Sequence, residues 1–164
     1  MEETMTVNSI TNLAADDNQY LTFTLGEEEY GIDILKVQEI KGYSAVTRIP
    51  RSPAYVKGVM NLRGTIVPVI DLRTKFGLEP TAYDQFTVII VVVVQGRAMG
   101  LIVDTVSDVL NIPASDVQPT PELSSDMDTN FIAGMGKAGD KLIILLDVHK
   151  VLGVEELRAL EAAT

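Results

Sequence analysis

Two stretches of this chain carry one pattern. Tyr55–Gly77 aligns with Phe131–Gly153 at a constant offset of 76 residues, without a gap. Gly58 then meets Gly134, Asp71 meets Asp147 and Gly77 meets Gly153. The apolar positions Ile66, Val67, Val69, Ile70, Leu72 and Phe76 meet Leu142, Ile143, Leu145, Leu146, Val148 and Leu152. Upstream, Tyr30–Ile40 aligns with Met99–Val109 at an offset of 69, setting Gly31 on Gly100, Val37 on Val106 and Glu39 on Asp108. The step from 69 to 76 implies about seven extra residues in the second half, which fits the polar loop "PASDVQPTPELSSDMDTN". Short apolar runs match by chance; shared Gly, Asp and Gly at one offset make chance a poorer explanation. The chain is read as two similar halves.

Each half is β. "YLTFTL" alternates and "EEEYGIDI" follows across Gly26, a hairpin pattern. "TIVPVIDL", "FTVIIVVVV", "RAMGLIVDTV" and "DKLIILLDV" are rich in β-branched and aliphatic residues. Pro68 lies inside one of these runs, which assigns it to a bulge or an unpaired edge. Short helical turns are expected at "SPAYVKG", "DLRTKFG" and "VHKVLG". A half of roughly 70 residues with about five short strands removes its edges best by curling into a small barrel. The unbroken run Phe86–Val94 suggests a strand covered on both faces, where the halves meet. The expected fold is therefore all-β: two pseudo-repeated five-stranded barrels on a shared hydrophobic core. Residues 1–18 are polar and acidic and read as a flexible tail; 19–154 form the double-barrel domain; 155–164 read as a short C-terminal helix. The first barrel is placed at about 19–85 and the second at about 86–154, with exchange of strands between them left open.

Composition narrows function by exclusion. Cysteine is absent and the one histidine, His149, falls on a helical turn, so a thiolate or histidine metal site is not expected. No phosphate-cradling loop is present; "GRAMG" lacks the lysine and spacing. The two matched aspartates read as copies of one structural role, accepting backbone N–H bonds at the start of a helical turn. No catalytic residue, cofactor or metal is assigned. The longest apolar run is too short for a membrane helix and no secretory signal is visible, which points to a cytoplasmic protein. Net charge is −10, which argues against nucleic-acid affinity, yet Lys36–Lys75 holds eight of the thirteen basic residues against Glu39 and Asp71. One reading of that stretch is scattered solvated lysines; the other is a basic face for an acidic protein partner.

The repeat also marks a difference. Asn61-Leu62-Arg63-Gly64 meets Lys137-Ala138-Gly139-Asp140, so the barrel does not itself require the former. An Arg on a short turn presents a planar fork of donors suited to a partner's carboxylate.

The segments "YGIDILKVQEI", "VTRIP", "SPAYVKGVMNLRG", "VPVIDLR", "GLIVDTVSDVL" and "DKLIILLDVHKVL" closely resemble the CheW family, the coupling proteins of bacterial chemotaxis, over nearly the whole chain. That resemblance implies SH3-like barrels and a non-enzymatic adaptor. It would couple the regulatory domain of the histidine kinase CheA to the cytoplasmic tips of methyl-accepting chemotaxis receptors. It implies a chain that is monomeric when free, ring-forming in arrays, and recruited to membrane-associated chemoreceptor arrays without inserting into the membrane. Carried onto matching positions, the receptor-facing residues would be Val37, Glu39, Ile40, Asn61, Arg63, Val88 and Val106, the valines forming an apolar floor and Glu39 and Arg63 a charged rim. The kinase-facing residues would be Ile34, Gly42 and Val46, with Gln118, Glu122 and Leu123 at a ring-closing contact. The alternative reading is a small-molecule sensor holding its ligand between the barrels.

Overall fold

Gly26 takes a positive φ of 63° where the first alternating run ends, and the chain doubles back on itself there. This is the first hairpin of a computed structural model that describes residues 5–6, 18–119 and 131–151. Its strands in chain order are β1 (Met5–Thr6), β2 (Gln19–Leu25), β3 (Glu28–Asp33), β4 (Val37–Gly42), β5 (Val56–Leu62) and β6 (Thr65–Asp71). They continue with β7 (Val88–Val94), β8 (Arg97–Val103), β9 (Thr105–Asn111), β10 (Val117–Gln118), β11 (Ile132–Ala138) and β12 (Lys141–Leu146). Of the segment read as a tail, Met5–Thr6 lies as a short strand on β4, and residues 1–4 and 7–17 lie outside the described residues. The segment read as a C-terminal helix, 155–164, also lies outside them.

The strands form two sheets, ordered β1-β4-β7-β8-β6-β5 and β10-β11-β12-β3-β2-β9. Both curl shut. In the first, Thr47 beyond β4 exchanges two 2.8 Å backbone hydrogen bonds with Val59 of β5, so the ends of the sheet meet. In the second, β9 runs through buried Ile112 and a 3₁₀ turn, Ala114–Asp116, into β10, which pairs with β11 at the far end. The expected double barrel is what the chain forms. Its strands are not shared out at a cut near residue 85: β4 to β8 build the first sheet, and the hairpin β2–β3 joins β9 to β12 in the second. The two sheets still repeat each other, because β8 runs parallel to β6 as β3 runs parallel to β12.

The matched residues now have physical reasons. Gly58 and Gly134 each follow a break in register, between Val56 and Gly58 and between Ile132 and Gly134. A Cβ on Gly58 would stand 2.0 Å from the Thr47 carbonyl oxygen, and one on Gly134 3.0 Å from that of Gln118. At both seams the closing strand passes over a bulge: at Gly58 there is room only for glycine, and at Gly134 a Cβ would force its neighbours to give by a few tenths of an ångström. Asp71 Oδ1 accepts the N–H of Arg73 at 2.9 Å, and Asp147 Oδ1 that of His149 at 3.0 Å. Each aspartate thus caps a four-residue helical turn, Leu72–Lys75 or Val148–Val151. The turn expected at "SPAYVKG" is not helical; Val56 N–H bonds Pro53 O at 3.0 Å and β5 begins there. Pro68 faces Val59 of β5, one residue before the pairing of β6 with β8 starts, so its missing N–H leaves no gap in that ladder.

Burial falls into three clusters. Met60, Leu62, Val67, Val69, Ile89, Val91 and Ile102 fill the first barrel, and Ile112, Ile143 and Leu145 the second. The largest cluster lies between them and includes Leu21, Phe23, Ile32, Ile70, Ile90, Val92 and Leu101. β7 serves two cores at once: Ile89 and Val91 face into its own barrel, Ile90 and Val92 into the junction. That is why "VIIVVVV" does not alternate. Aromatic rings cross the junction in a chain from Phe23 to Tyr30 to Phe76 to Phe131, with centroids 5.8, 5.8 and 4.5 Å apart.

Among the described residues, the ion pair of Arg73 with Asp104 fastens the barrels together. Arg73, after β6, donates from Nε to Asp104 Oδ1 at 2.7 Å and from Nη2 to Oδ2 at 2.6 Å. Asp104 stands where β8 of the first sheet gives way to β9 of the second, and Oδ2 also accepts the Gly26 N–H at 2.9 Å. Burial pushes the Asp104 pKa up, but the Arg73 bonds, the Gly26 N–H and the Arg73 charge outweigh it and hold the carboxyl below its ordinary value. A depressed folded-state pKa gives stability that is present at neutral pH and lost as pH falls through the folded value. Asp104→Asn is therefore expected to cost about 1–3 kcal/mol at neutral pH. The gap from the native chain should narrow in acid. Urea unfolding at pH 7 and pH 3 checks this; an equal gap at both would remove the carboxylate from the account.

Candidate functional site

β5 and β6 are joined by a two-residue turn, Arg63-Gly64, with Leu62 opposite Thr65. Asn61 Oδ1 accepts the Gly64 N–H at 2.7 Å, which fixes the turn and leaves the Asn61 amide nitrogen for other partners. Arg63 itself has φ of 50°, in the left-handed region that costs an L-residue about 1–2 kcal/mol. At the matching position of the other hairpin stands Gly139, with φ of 64°. The same backbone bend is thus met by glycine in one copy and by arginine in the other. Strain accepted at a turn where glycine would serve points to a use for the side chain.

The Arg63 guanidinium reaches across the closed seam to β4. Nη1 and Nη2 donate to Glu39 Oε1 and Oε2, the former at 3.2 Å. The pair is lopsided: the Arg63 side chain is 62% exposed and that of Glu39 5%. Bonds to Glu39 and its charge push the Arg63 pKa up, against a smaller opposing effect of burial. Two of the five guanidinium N–H donors are enough for this fork, so the outer edge stays free to meet a second acceptor. Glu39 and Arg63, the two residues expected to form a charged rim, pair with each other: Glu39 is covered by Arg63 and the exposed charge is the arginine.

The remaining expected receptor-facing residues are spread between surface and core. Val37 is 3% exposed and belongs to the junction cluster. Ile40, Val88 and Val106 are half-buried and pack against that cluster, so all four apolar positions share one hydrophobic body. Ile40 and Glu39 also lie opposite Met5 and Thr6, so β1 takes the outer edge of β4 there. Sequence reasoning did not find that strand, nor the Arg63–Glu39 pairing. A signal for the pairing was present, since Glu39 and Asp71 are the two acids among the eight bases of Lys36–Lys75.

Among the expected kinase-facing residues, Ile34 is buried in the junction cluster, in a 3₁₀ turn capped by Asp33. Gly42 ends β4 with open space around its Cα. Val46 packs half-buried on the first barrel's interior. Gln118 is exposed on β10, while Glu122 and Leu123 lie outside the described residues. Among the described residues no group of three or more His, Asp or Glu side chains could hold a metal, and no helix is long and apolar enough to cross a membrane.

Fold and site together define a class: duplicated double-barrel β domains whose halves differ at the strained, arginine-bearing β5–β6 turn. Within that class the chain belongs to the CheW-like domain family, whose profile matches residues 19–156. It is 48% identical over 151 residues to the chemotaxis protein CheW of Klebsiella aerogenes, spanning 91% of each chain. It is 36% identical over 151 residues to a probable chemotaxis protein CheW of Rhizobium etli, covering 92% of this chain and 97% of that one. The solved scaffolding protein TtCheW of Thermoanaerobacter tengcongensis superposes with a TM-score of 0.79 at 37% identity, covering 85% of this chain and 95% of its own.

Proposed function

We propose that the chain is a non-enzymatic adaptor of bacterial chemotaxis. It couples the regulatory domain of the histidine kinase CheA to the cytoplasmic tips of methyl-accepting receptors and works in the cytoplasm at receptor arrays. The observation that carries this reading is the Arg63 turn: a charged, pre-set fork held on a rigid hairpin by Asn61 and Glu39, in a family whose solved relative is named a scaffold. The receptor-facing group is Arg63, Asn61 and Glu39, with Ile40, Val88 and Val106 as the neighbouring apolar surface and Val37 supporting it from the core. Gly42, Val46, Ile34 and Gln118, with Glu122 and Leu123, would serve the kinase contacts. Each contact is modest, and many acting together hold an array. Signal transfer is then a shift between arrangements of the partners.

The test is a pull-down with three purified components: this chain, a CheA regulatory-domain fragment and a receptor signalling fragment. The chain is expected to retain each fragment alone and both together. Retention of one at the expense of the other would mean competing sites and would rule out an adaptor.

A further inference from the structure

Between the seam residue Thr47 and the start of β5, the chain folds around a cavity of about 640 Å³ on the first barrel. Its size lies within the range of small-ligand sites. Tyr43, Ile49 and Pro53 give it an apolar wall, and Arg48, Arg51 and Lys57 bring three cations to it. None of the three cations has a hydrogen bond or ion pair among the described residues. Within Lys36–Lys75 both acids are already engaged. Of the two acids in Lys36–Lys75, Glu39 is committed to Arg63, and Asp71 caps its helical turn and accepts the Tyr83 hydroxyl at 2.6 Å. The loop is also well anchored. Thr47 is bonded twice to Val59, the Ser52 hydroxyl donates to Ile49 O at 2.7 Å, and Val56 N–H to Pro53 O. A concave site that gathers three cations unpaired among the described residues, on a chain of net charge −10, is not explained by general surface charge.

We infer that this cavity binds a compact organic or inorganic polyanion, its negative groups spanned by Arg48, Arg51 and Lys57 and its body resting on Tyr43, Ile49 and Pro53. Guanidinium forks favour planar carboxylates and phosphates, and the lysine adds a point charge. Val46, proposed above for a kinase contact, also lines this cavity, whereas Arg63 does not.

Carboxylate and phosphate sources are separated by titrating the ¹⁵N-labelled full chain with citrate and, in parallel, with pyrophosphate. Potassium chloride at matched ionic strength serves as the third arm. Saturable amide shifts confined to residues 43–57 are expected with at least one of the two polyanions. Its identity gives the class. The triple variant Arg48→Gln, Arg51→Gln, Lys57→Gln is expected to weaken that binding by more than about tenfold while melting like the native chain. Lys137→Gln, on the other barrel, should leave it unchanged. Shifts that follow ionic strength alone, or persist in the triple variant, would overturn the assignment.

Discussion

Replacing Gly58 with valine is expected to open the first barrel along its seam. A Cβ at that position would lie 2.0 Å from the Thr47 carbonyl oxygen and 2.6 Å from its carbon, both backbone atoms that no side-chain rotation can clear. The residue also has φ of 146°, which a β-branched residue rarely adopts. The clash must be relieved by pushing Thr47 away, which breaks the two hydrogen bonds to Val59 that close the sheet. A lost seam, a strained backbone and water admitted to the barrel core together should cost about 4 kcal/mol or more, enough to leave much of the chain unfolded. Gly42→Ala is the matched control. Nothing stands within 4 Å of a Cβ there, so a change within about 0.5 kcal/mol is expected. Urea unfolding of the two variants compares them directly. A Gly58 variant as stable as the control would mean that the seam does not close as described.

The largest functional effect is expected from Arg63→Glu. The substitution reverses the exposed charge of the β5–β6 turn and sets a second carboxylate against the buried one of Glu39. Co-sedimentation with a receptor signalling fragment should fall by roughly tenfold or more, since a like charge placed at a complementary contact repels as well as failing to bond. The melt should fall too, which makes Arg63→Gln the necessary companion. Glutamine keeps an N–H donor without adding a carboxylate, but it loses the charge, the second arm of the fork and about two atoms of reach. It is expected to melt between the native chain and Arg63→Glu, and still to bind receptor more weakly. Native-like receptor binding by both variants would move the receptor contact elsewhere on the surface.

What the sequence disclosed followed from how local each feature is. Strand alternation, the Gly26 turn and the capping aspartates each depend on residues a few places apart, so pattern alone exposed them. The repeat went further: glycine and aspartate recur because both seams and both helical turns pose the same steric and hydrogen-bonding problem. Partner choice between strands was not legible. β2 and β3 alternate equally well whichever sheet receives them, and only packing of Leu21, Phe23 and Ile32 into the junction decides. The Arg63–Glu39 pair was hidden for a similar reason, since 24 residues of chain separate partners that the barrel closure brings together. Val37 shows the converse limit. Its place in a motif was readable, whereas its burial required the fold.

The interleaving of the sheets also orders events in time. All five main strands of the first barrel lie in one uninterrupted length, from Val37 to Val103. As the chain leaves the ribosome, these strands can find one another across short loops. The second barrel has no such freedom. Glu29 must wait for Ile143 before their strands can pair, across a stretch that contains the whole of the first barrel. Its closure entropy is lowered once that stretch has collapsed into a compact body with its ends held close. The middle of the chain thus acts as the template on which its two ends assemble, and a defect at the Gly58 seam would be felt in both barrels.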